Sequence, residues 1–421
     1  MKFEIGDLVT INNRSIKKKD DLQEIFYLDI ASLTNGKYEE VKKYDWKKDK
    51  VPSRARRRVQ QDDILISTVR PANKHFGFIT EKEADLIVST GFAVLSPNIE
   101  KVDPYYLYKY LTLDSVVNYL QAVAENSTSA YPSIKPNDIT TLEINLPELS
   151  TQQKIGGFLR NIDQKIELNN NIRSNLEETA QTLFKRWFVD FEFPDENGKS
   201  YKSNGGKIVK NEFGEKPEEW FFLSLSEIAN FQNGLAMQKF RPEDSEMSLP
   251  VLKIKELRQG YTDNNSDKCS FHIKDNVKVN NGDVIFSWSA SLLVKLWNGG
   301  QAGLNQHLFK VTSNKYPKWF YYLWTKHHLN RFSAIAKDKA TTMGHIKKSH
   351  LEESKVLVPS NKELSYFTSI FSQLVSKKNQ LAEESRILQH VRDTLLPKLI
   401  SGEIELPDDV EVDEDVPVPG S

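Results

Sequence analysis

The side chains best suited to chemistry in this sequence are polar and basic groups that flank short apolar runs. An Arg guanidinium can bind guanine in the major groove of DNA, and an Asn or Gln amide can bind adenine. The pattern therefore indicates hydrogen bonding to a nucleic acid. The candidates that follow or lead into the runs are Arg70, Asn73, Lys74, His75, Ser289, Ser291, Asn305, Gln306 and His307.

Two further segments carry hydroxyl groups and backbone amides suited to phosphate oxygens. They lie at 126–131 and 339–345, before two similar stretches of the chain. The candidates in these segments are Ser127, Ser129, Tyr131, Lys339, Thr341 and Thr342. Lys239 and Arg241 are added as basic candidates in the second half.

A basic run occupies residues 41–60, where nine Lys and Arg residues face two Asp residues. Such a run is either a solvated face or a phosphate-binding surface, since cations near a duplex release its condensed counterions. On the second interpretation the candidates are Arg54, Arg56, Arg57 and Arg58.

The formal net charge of −1 hides an uneven distribution of charge along the chain. Residues 402–421 contain eight acids and no base, so residues 1–401 carry a net charge of +7. We expect the acidic, proline-containing tail to be disordered.

Signatures of catalysis are missing from the sequence. It contains no phosphate-binding P-loop, dinucleotide-binding glycine turn, HExxH zinc motif, nucleophile elbow or amino-methyltransferase tetrapeptide. The glycine-rich stretch 298–303 has the wrong spacing for a nucleotide loop. The acids of 194–199 lie in a polar segment that would not hold a metal ion rigidly. His327 and His328 lie on the aromatic helix, where surface or packing roles are more common than metal binding. A single cysteine, Cys269, excludes an internal disulfide. We therefore predict no enzyme activity, metal site or cofactor in this chain.

The apolar runs are too short to span a membrane, which needs about 20 continuous apolar residues. The start of the chain, MKFEIGDLVT, lacks the apolar core of a signal peptide. We expect a cytoplasmic protein.

The second half of the chain repeats the first at an offset near 212 residues, and the offset drifts upstream. SIKPNDITTLEINLP (133–147) aligns with HIKKSHLEESKVLVP (345–359) without a gap. Upstream, DILIS (63–67) aligns with DVIFS (283–287), and YLDIASLTNG (27–36) with VLKIKELRQG (251–260). Such duplication predicts two copies of one structural unit.

Each copy combines β-like apolar runs, an aromatic helix after Pro104 or Pro317, and a long helical segment. The runs are 64–69 and 87–95 in the first copy, and 284–288 and 304–312 in the second. This pattern predicts a mixed α/β (α+β) fold. Both long segments carry a heptad seam, which predicts that the two helices pair as a coiled coil within one chain. The apolar seam residues are Ile155, Leu159, Ile162, Ile166, Leu176, Leu183, Phe367, Phe371, Leu374, Leu381, Leu388 and Leu395.

In this order the features resemble the specificity subunit of a type I restriction-modification system. The resemblance covers residues 1 to about 402 and includes PEEW (217–220), LNQHLF (304–309) and LLPKLISGEI (395–404). It implies target-recognition domains at 1–147 and 216–359, spacer helices at 148–192 and 360–402, a linker at 193–215 and the acidic tail at 403–421. The first domain lacks the proline–tryptophan opening of the second.

The resemblance also implies a function and a set of partners. Each recognition domain would read one half of a split site in double-stranded DNA. The two long helices would form an antiparallel coiled coil with pseudo-two-fold symmetry between the copies and would set the separation of the halves. Two methyltransferase subunits would methylate adenine with S-adenosylmethionine, and restriction subunits would cleave DNA with ATP and Mg²⁺. None of these cofactors would bind to this chain, and no membrane would be involved.

Two alternatives remain open on the sequence alone. The chain could be a coiled-coil scaffold whose repeated ends bind proteins, in which case its basic run would be incidental. It could also be the reading subunit of a related system that cuts beside its site.

Overall fold

A computed structural model describes residues 1–17, 20–83, 85–127, 131–338 and 345–407. The chain forms two compact units. Unit 1 comprises Met1–Lys165 and the described residues from Gln389 onward, and unit 2 comprises Ile166–Leu388. The acidic tail from residue 408 onward lies outside the described residues.

In unit 1, eight of the described strands form two four-stranded sheets, in agreement with the predicted mixed α/β fold. Glu24–Leu28 pairs in parallel with Leu86–Ser89, and Lys42–Asp45 and Ala55–Arg58 add to the two edges. The second sheet has the order Val9–Ile11, Phe92–Pro97, Ile64–Ser67, Phe76–Phe78 and is antiparallel.

Unit 2 builds the same two sheets from the corresponding strands. Ser248–Leu252 pairs in parallel with Ala302–Leu304, between the edge strands Lys268–Ser270 and Lys278–Val279. The antiparallel sheet has the order Asn230–Asn233, Leu308–Thr312, Val284–Ser287, Leu293–Leu296. The internal repeat in the sequence therefore corresponds to two units with the same sheet topology.

The predicted aromatic helices are present in both units and carry much of each core. In unit 1, Pro104–Leu111 begins with proline, and the Asp103 carboxylate accepts a hydrogen bond from the Tyr106 amide at 2.7 Å. Proline and an acidic N-cap both favour the start of a helix, because the first amides have no partner within the helix. Lys318–His327 occupies the equivalent place in unit 2, and its rings from Trp319 to Trp324 are buried.

The two long helices are Leu149–Phe188 and Asn361–Ser401. Within unit 1, Ile155 and Leu159 near the start of the first helix share a core with Leu399 near the end of the second. Within unit 2, Trp187 near the end of the first helix lies 4.8 Å from Phe367 near the start of the second, measured between ring centroids. The helices are therefore antiparallel in each unit, as the family resemblance implies.

Three segments differ from what their sequence patterns predict. The apolar runs 87–95 and 304–312 each break into two strands that belong to different sheets. The segment 193–215, expected to be a linker, contains the buried Phe193 and the strand Ile208–Asn211 of a hairpin. Phe193 stacks on Tyr201 and on Trp220, at 4.6 Å and 4.9 Å between ring centroids, so this segment packs within unit 2.

The remaining elements are short. The other strands are Lys2–Glu4, Leu33–Thr34, Lys37–Tyr38, Glu143–Asn145, Gly214–Pro217, Phe221–Ser224 and Lys355–Val358. The other α-helices are Asp114–Glu125, Pro136–Thr140, Leu225–Ile228, Ile254–Gln259, Leu329–Asp338 and Lys348–Glu352. The 3₁₀ helices are Ile5–Asp7, Ile30–Ser32, Pro71–Asn73, Glu81–Glu83, Lys202–Asn204, Met237–Lys239 and Asp275–Val277. Among the described residues, none of the helices combines the length and apolar character that crossing a membrane requires.

Candidate nucleic-acid interface

A tight turn follows the buried strand Ile64–Ser67 in unit 1, and we call residues 68–75 the unit 1 turn. The Ser67 hydroxyl donates a hydrogen bond to the carbonyl of Val69 at 2.9 Å. The next residue, Arg70, has a left-handed backbone with φ +48°, and its amide donates to the carbonyl of Pro132. Val69 also forms a bridge to Ser133, so the turn is tied to the segment before Pro136–Thr140.

The equivalent strand of unit 2 ends in a turn of the same construction, residues 288–292, which we call the unit 2 turn. The Ser287 hydroxyl donates to the carbonyl of Ser289 at 3.2 Å. Ala290 is left-handed with φ +56°, and Ser289 bridges to His345. The two turns therefore share one backbone frame.

A left-handed conformation costs a residue with a side chain roughly 1–2 kcal/mol. The fixed strands that precede the turns help to hold it. Asp63, fully buried, forms a salt bridge with Arg14 at 2.7 Å, and Asp283 forms one with Lys310 at 2.8 Å. Strain that persists at one place in both copies is typical of a ligand-binding position.

The predicted residues of the unit 1 turn divide into two groups. Arg70 and Asn73 are exposed, and the Arg70 guanidinium lies over the ring of Tyr131 at 5.4 Å. Lys74 instead forms a salt bridge with Asp114 at 2.6 Å. His75 is half-buried with its Nδ1 atom 2.6 Å from the carbonyl oxygen of Leu33. Arg70 and Asn73 are thus better placed for a ligand.

Most predicted residues near the unit 2 turn are engaged within the unit. Ser289 is buried beside the Nδ1 atom of His307, and the Asn305 side chain accepts a hydrogen bond from the His307 amide at 3.3 Å. Gln306 lies against the other ring nitrogen of His307 at 3.3 Å. Ser291, by contrast, is half-exposed.

The structure brings one residue to this turn that the sequence interpretation missed. Arg258, from the helix Ile254–Gln259, donates a hydrogen bond from Nη2 to the Ser291 hydroxyl at 2.6 Å. Arg258 is exposed. The repeat alignment already places it opposite Thr34, but only the fold shows that this position adjoins the turn.

The basic run is partly neutralised by nearby acids. Lys43 pairs with Glu24 at 2.9 Å, and Lys47 pairs with Asp21 at 2.7 Å. Lys48 pairs in the same way with Asp45. The predicted arginines lie on or just before the strand Ala55–Arg58 and differ in exposure, as follows: Arg54 and Arg58 are exposed, while Arg56 and Arg57 are half-buried.

Burial lowers the pKa of Arg57 from its ordinary value. Among the described residues its buried Nε atom has no hydrogen-bond partner. The exposed Arg54 and Arg58 are therefore the better phosphate ligands of this group.

The remaining candidates lie further from the turns in the sequence. Ser127 caps the end of Asp114–Glu125 through its amide, and Lys239 and Arg241 are both exposed in unit 2. Ser129, Lys339, Thr341 and Thr342 lie outside the described residues. No cluster of three or more metal-ligating His, Cys, Asp or Glu side chains occurs in the described ranges.

A half-buried acid on the first long helix joins three elements of unit 1. Asp163 accepts hydrogen bonds from Tyr105 at 2.6 Å and Arg392 at 2.5 Å, and forms a salt bridge with Lys109 at 2.5 Å. Burial would raise the pKa of Asp163, but the cations of Lys109 and Arg392 outweigh burial and leave the pKa below its ordinary value. The carboxylate is therefore charged at neutral pH.

Unit 2 uses the same arrangement with different side chains. Glu177 on the first long helix contacts Lys378 on the second, and Tyr322 and Lys326 on the aromatic helix. Burial would raise the pKa of Glu177, but the two lysines hold it below its ordinary value. In each unit, one acid thus fixes the aromatic helix to both long helices.

The predicted seam residues all lie on the buried or half-buried side of the long helices. A polar residue interrupts the seam in unit 2, where the fully buried Asn169 donates a hydrogen bond to Glu384 at 3.1 Å. A polar side chain at a seam position is a known means of fixing the register of a coiled coil.

The comparisons with known proteins agree on one family. The family model described as "Type I restriction modification DNA specificity domain" matches residues 1–178 and again 217–389. A type I restriction enzyme specificity subunit, HindI, from Haemophilus influenzae is 23% identical over 461 aligned positions, which cover 96% of this chain and 99% of that protein. The MjaIX specificity subunit from Methanocaldococcus jannaschii is 26% identical over 352 positions, which cover 82% of this chain and 78% of that protein.

The solved structures include the S subunit of a type I restriction-modification system from M. genitalium. It matches with a TM-score of 0.54 at 15% identity and covers 95% of both chains, which supports the fold. The family model itself matches most of this chain, once in each repeat. The chain therefore belongs to the family of proteins that contain the type I restriction modification DNA specificity domain.

Proposed function

We propose that this chain is the DNA-reading specificity subunit of a type I restriction-modification complex and has no catalytic centre of its own. Each recognition domain reads one half of a split site. The observation that carries the proposal is the duplicated turn, which has the same left-handed backbone in both family domains and has an exposed arginine on or beside it in each, Arg70 in unit 1 and Arg258 in unit 2.

The proposal includes the partners. Two methyltransferase subunits bind this chain and methylate adenine with S-adenosylmethionine, and restriction subunits supply ATP- and Mg²⁺-dependent cleavage. Because the chain acts on cellular DNA, we infer a cytoplasmic location.

DNA association measured with the methyltransferase subunit present tests this function. The affinity should fall as salt rises, because phosphate contacts release counterions, and preference for one split sequence should persist at every salt concentration. Affinity that is indifferent to salt and sequence would contradict the proposal and favour a protein-binding scaffold. Cleavage at a fixed distance beside the site would instead assign the chain to a related system.

A further inference from the structure

The two turns share a frame, but they present different side chains at the left-handed position. Unit 1 has Arg70 there, and unit 2 has Ala290. Alanine has no side-chain donor or acceptor, so this position of unit 2 cannot bind a base edge by a side-chain hydrogen bond.

Unit 2 receives a guanidinium at its turn from another element. Arg258 belongs to the helix Ile254–Gln259 and binds Ser291, the residue after Ala290. The corresponding position of unit 1 is Thr34, which lies 3.3 Å from the ring of His75 at the end of the unit 1 turn. In both units the turn therefore includes the left-handed position and adjoins the position of Thr34 or Arg258. Unit 1 has its arginine, Arg70, at the left-handed position. Unit 2 has its arginine, Arg258, at the adjoining position.

The backbone around Thr34 and Arg258 supports this equivalence. The preceding residues, Leu33 and Leu257, are both fully buried. Two residues after Thr34 and Arg258 stand Gly36 and Gly260, both left-handed, with φ +75° and +92°. The buried leucine and the left-handed glycine place the intervening residue at the same point of the fold in both units.

Both guanidinium groups are exposed and held by neutral partners. Arg70 lies over the Tyr131 ring, and Arg258 uses one of its N–H groups on Ser291. Among the described residues, no carboxylate forms a salt bridge with either arginine. A planar guanidinium fixed in this way retains donors for the two acceptors, O6 and N7, of guanine.

We propose that Arg258 reads a guanine in the half-site of unit 2, as Arg70 does in the half-site of unit 1. This inference rests on the proposed DNA-reading function. It adds that each half-site contains one guanine whose recognition depends on a single arginine, supplied by the turn in unit 1 and by the helix beside the turn in unit 2.

The test measures binding of the full chain, assembled with its methyltransferase subunits, to a library of duplexes randomised over the site. Arg258→Ala should reduce the preference for guanine at one position of one half-site by about 10- to 100-fold and leave the other half-site unchanged. Arg70→Ala should do the same in the opposite half-site. Arg258→Lys, which keeps the charge but loses the planar fork, should also lose the preference while retaining more affinity.

Lys255→Ala is the matched control, because it removes one exposed cation from the same helix. It should leave every base preference unchanged. If Arg258→Ala weakens all sequences equally while the wild-type complex selects a site, Arg258 binds phosphate and the inference is wrong, although the proposed function stands. If the wild-type complex selects no site, the proposed function itself fails.

Discussion

Arg392 on the second long helix donates a hydrogen bond to Asp163 on the first, with 2.5 Å between Nη1 and Oδ1. Lys109 of the aromatic helix binds the other carboxylate oxygen of Asp163. The recognition domain of unit 1 is thereby attached to both long helices through one half-buried charge.

Replacing Asp163 by alanine should strongly destabilise unit 1. The change removes the counter-charge of the buried Lys109, while Arg392 keeps its pair with Asp393, and the loss of one partner of a buried pair costs about 3–5 kcal/mol. Thermal unfolding followed by circular dichroism should show a lower midpoint. Asp393→Ala is the control, because Asp393 also pairs with Arg392 but is exposed, and its midpoint should shift little. Equal shifts for the two variants would contradict this account.

Relief of the backbone strain at the unit 2 turn should stabilise the fold. Ala290→Gly should stabilise unit 2 by about 1 kcal/mol, because glycine adopts a left-handed backbone without the clash of a Cβ atom. Denaturant unfolding measures the change. The base preference of the assembled complex should stay the same, since alanine supplies no hydrogen bond there. A loss of stability would show that the Ala290 methyl group packs in a way that outweighs the strain.

Burial lowers the pKa of His328 to about 4, and the neighbouring His327 adds to this effect. The folded chain therefore keeps the ring neutral, while the unfolded chain binds a proton as pH falls below about 6.5. Acidification from pH 7 to pH 5.5 should therefore lower the free energy of unfolding by about 1 kcal/mol. Unfolding at the two pH values should show this loss in the wild-type chain.

His328→Gln should reduce that pH dependence, and the remainder comes from His327, whose pKa burial also lowers. His272→Gln is the control, because His272 is largely exposed, and this variant should keep the pH dependence of the wild type. The acids Asp163 and Glu177 have lowered pKa values, so their contribution is lost only at more acidic pH. A wild-type stability that does not change between pH 7 and pH 5.5 would exclude a buried neutral His328.

Arg58, exposed at the end of the strand Ala55–Arg58, should contribute to the salt dependence of DNA binding. Arg58→Ala should weaken DNA association uniformly across sequences and reduce the slope of log affinity against log salt by about 1. Lys47→Ala should change the slope less, because Lys47 already pairs with Asp21. Fluorescence anisotropy with the methyltransferase subunit present measures both slopes, and a larger effect of Lys47 would reverse the assignment.

Much of the fold was accessible from sequence because the repeat preserves local patterns. The aligned DILIS and DVIFS segments became the same strand, ending in Ser67 and Ser287 with the same hydrogen bond. The apolar runs 87–95 and 304–312 were less informative. Each contains two buried strands joined by a short turn, and a continuous apolar run does not mark the break.

Contacts between distant residues were not accessible. Asp163 and Glu177 lie among other polar positions of a heptad helix, and nothing local identifies their partners on the aromatic helix. Arg258 was missed because the interpretation sought polar residues next to strands, whereas the fold brings a helix to the turn. The buried Phe193 likewise shows that a polar, glycine-containing segment can still pack through a few aromatic rings.

The proposed function requires that the two recognition domains each read one half of a single DNA site. The most direct measurement is a map of methylated adenines in DNA from cells that contain this chain with its methyltransferase partner. The account predicts one split motif, with two specific halves at a fixed separation and a methylated adenine in each half. A single uninterrupted motif, or methylation that does not depend on this chain, would contradict it.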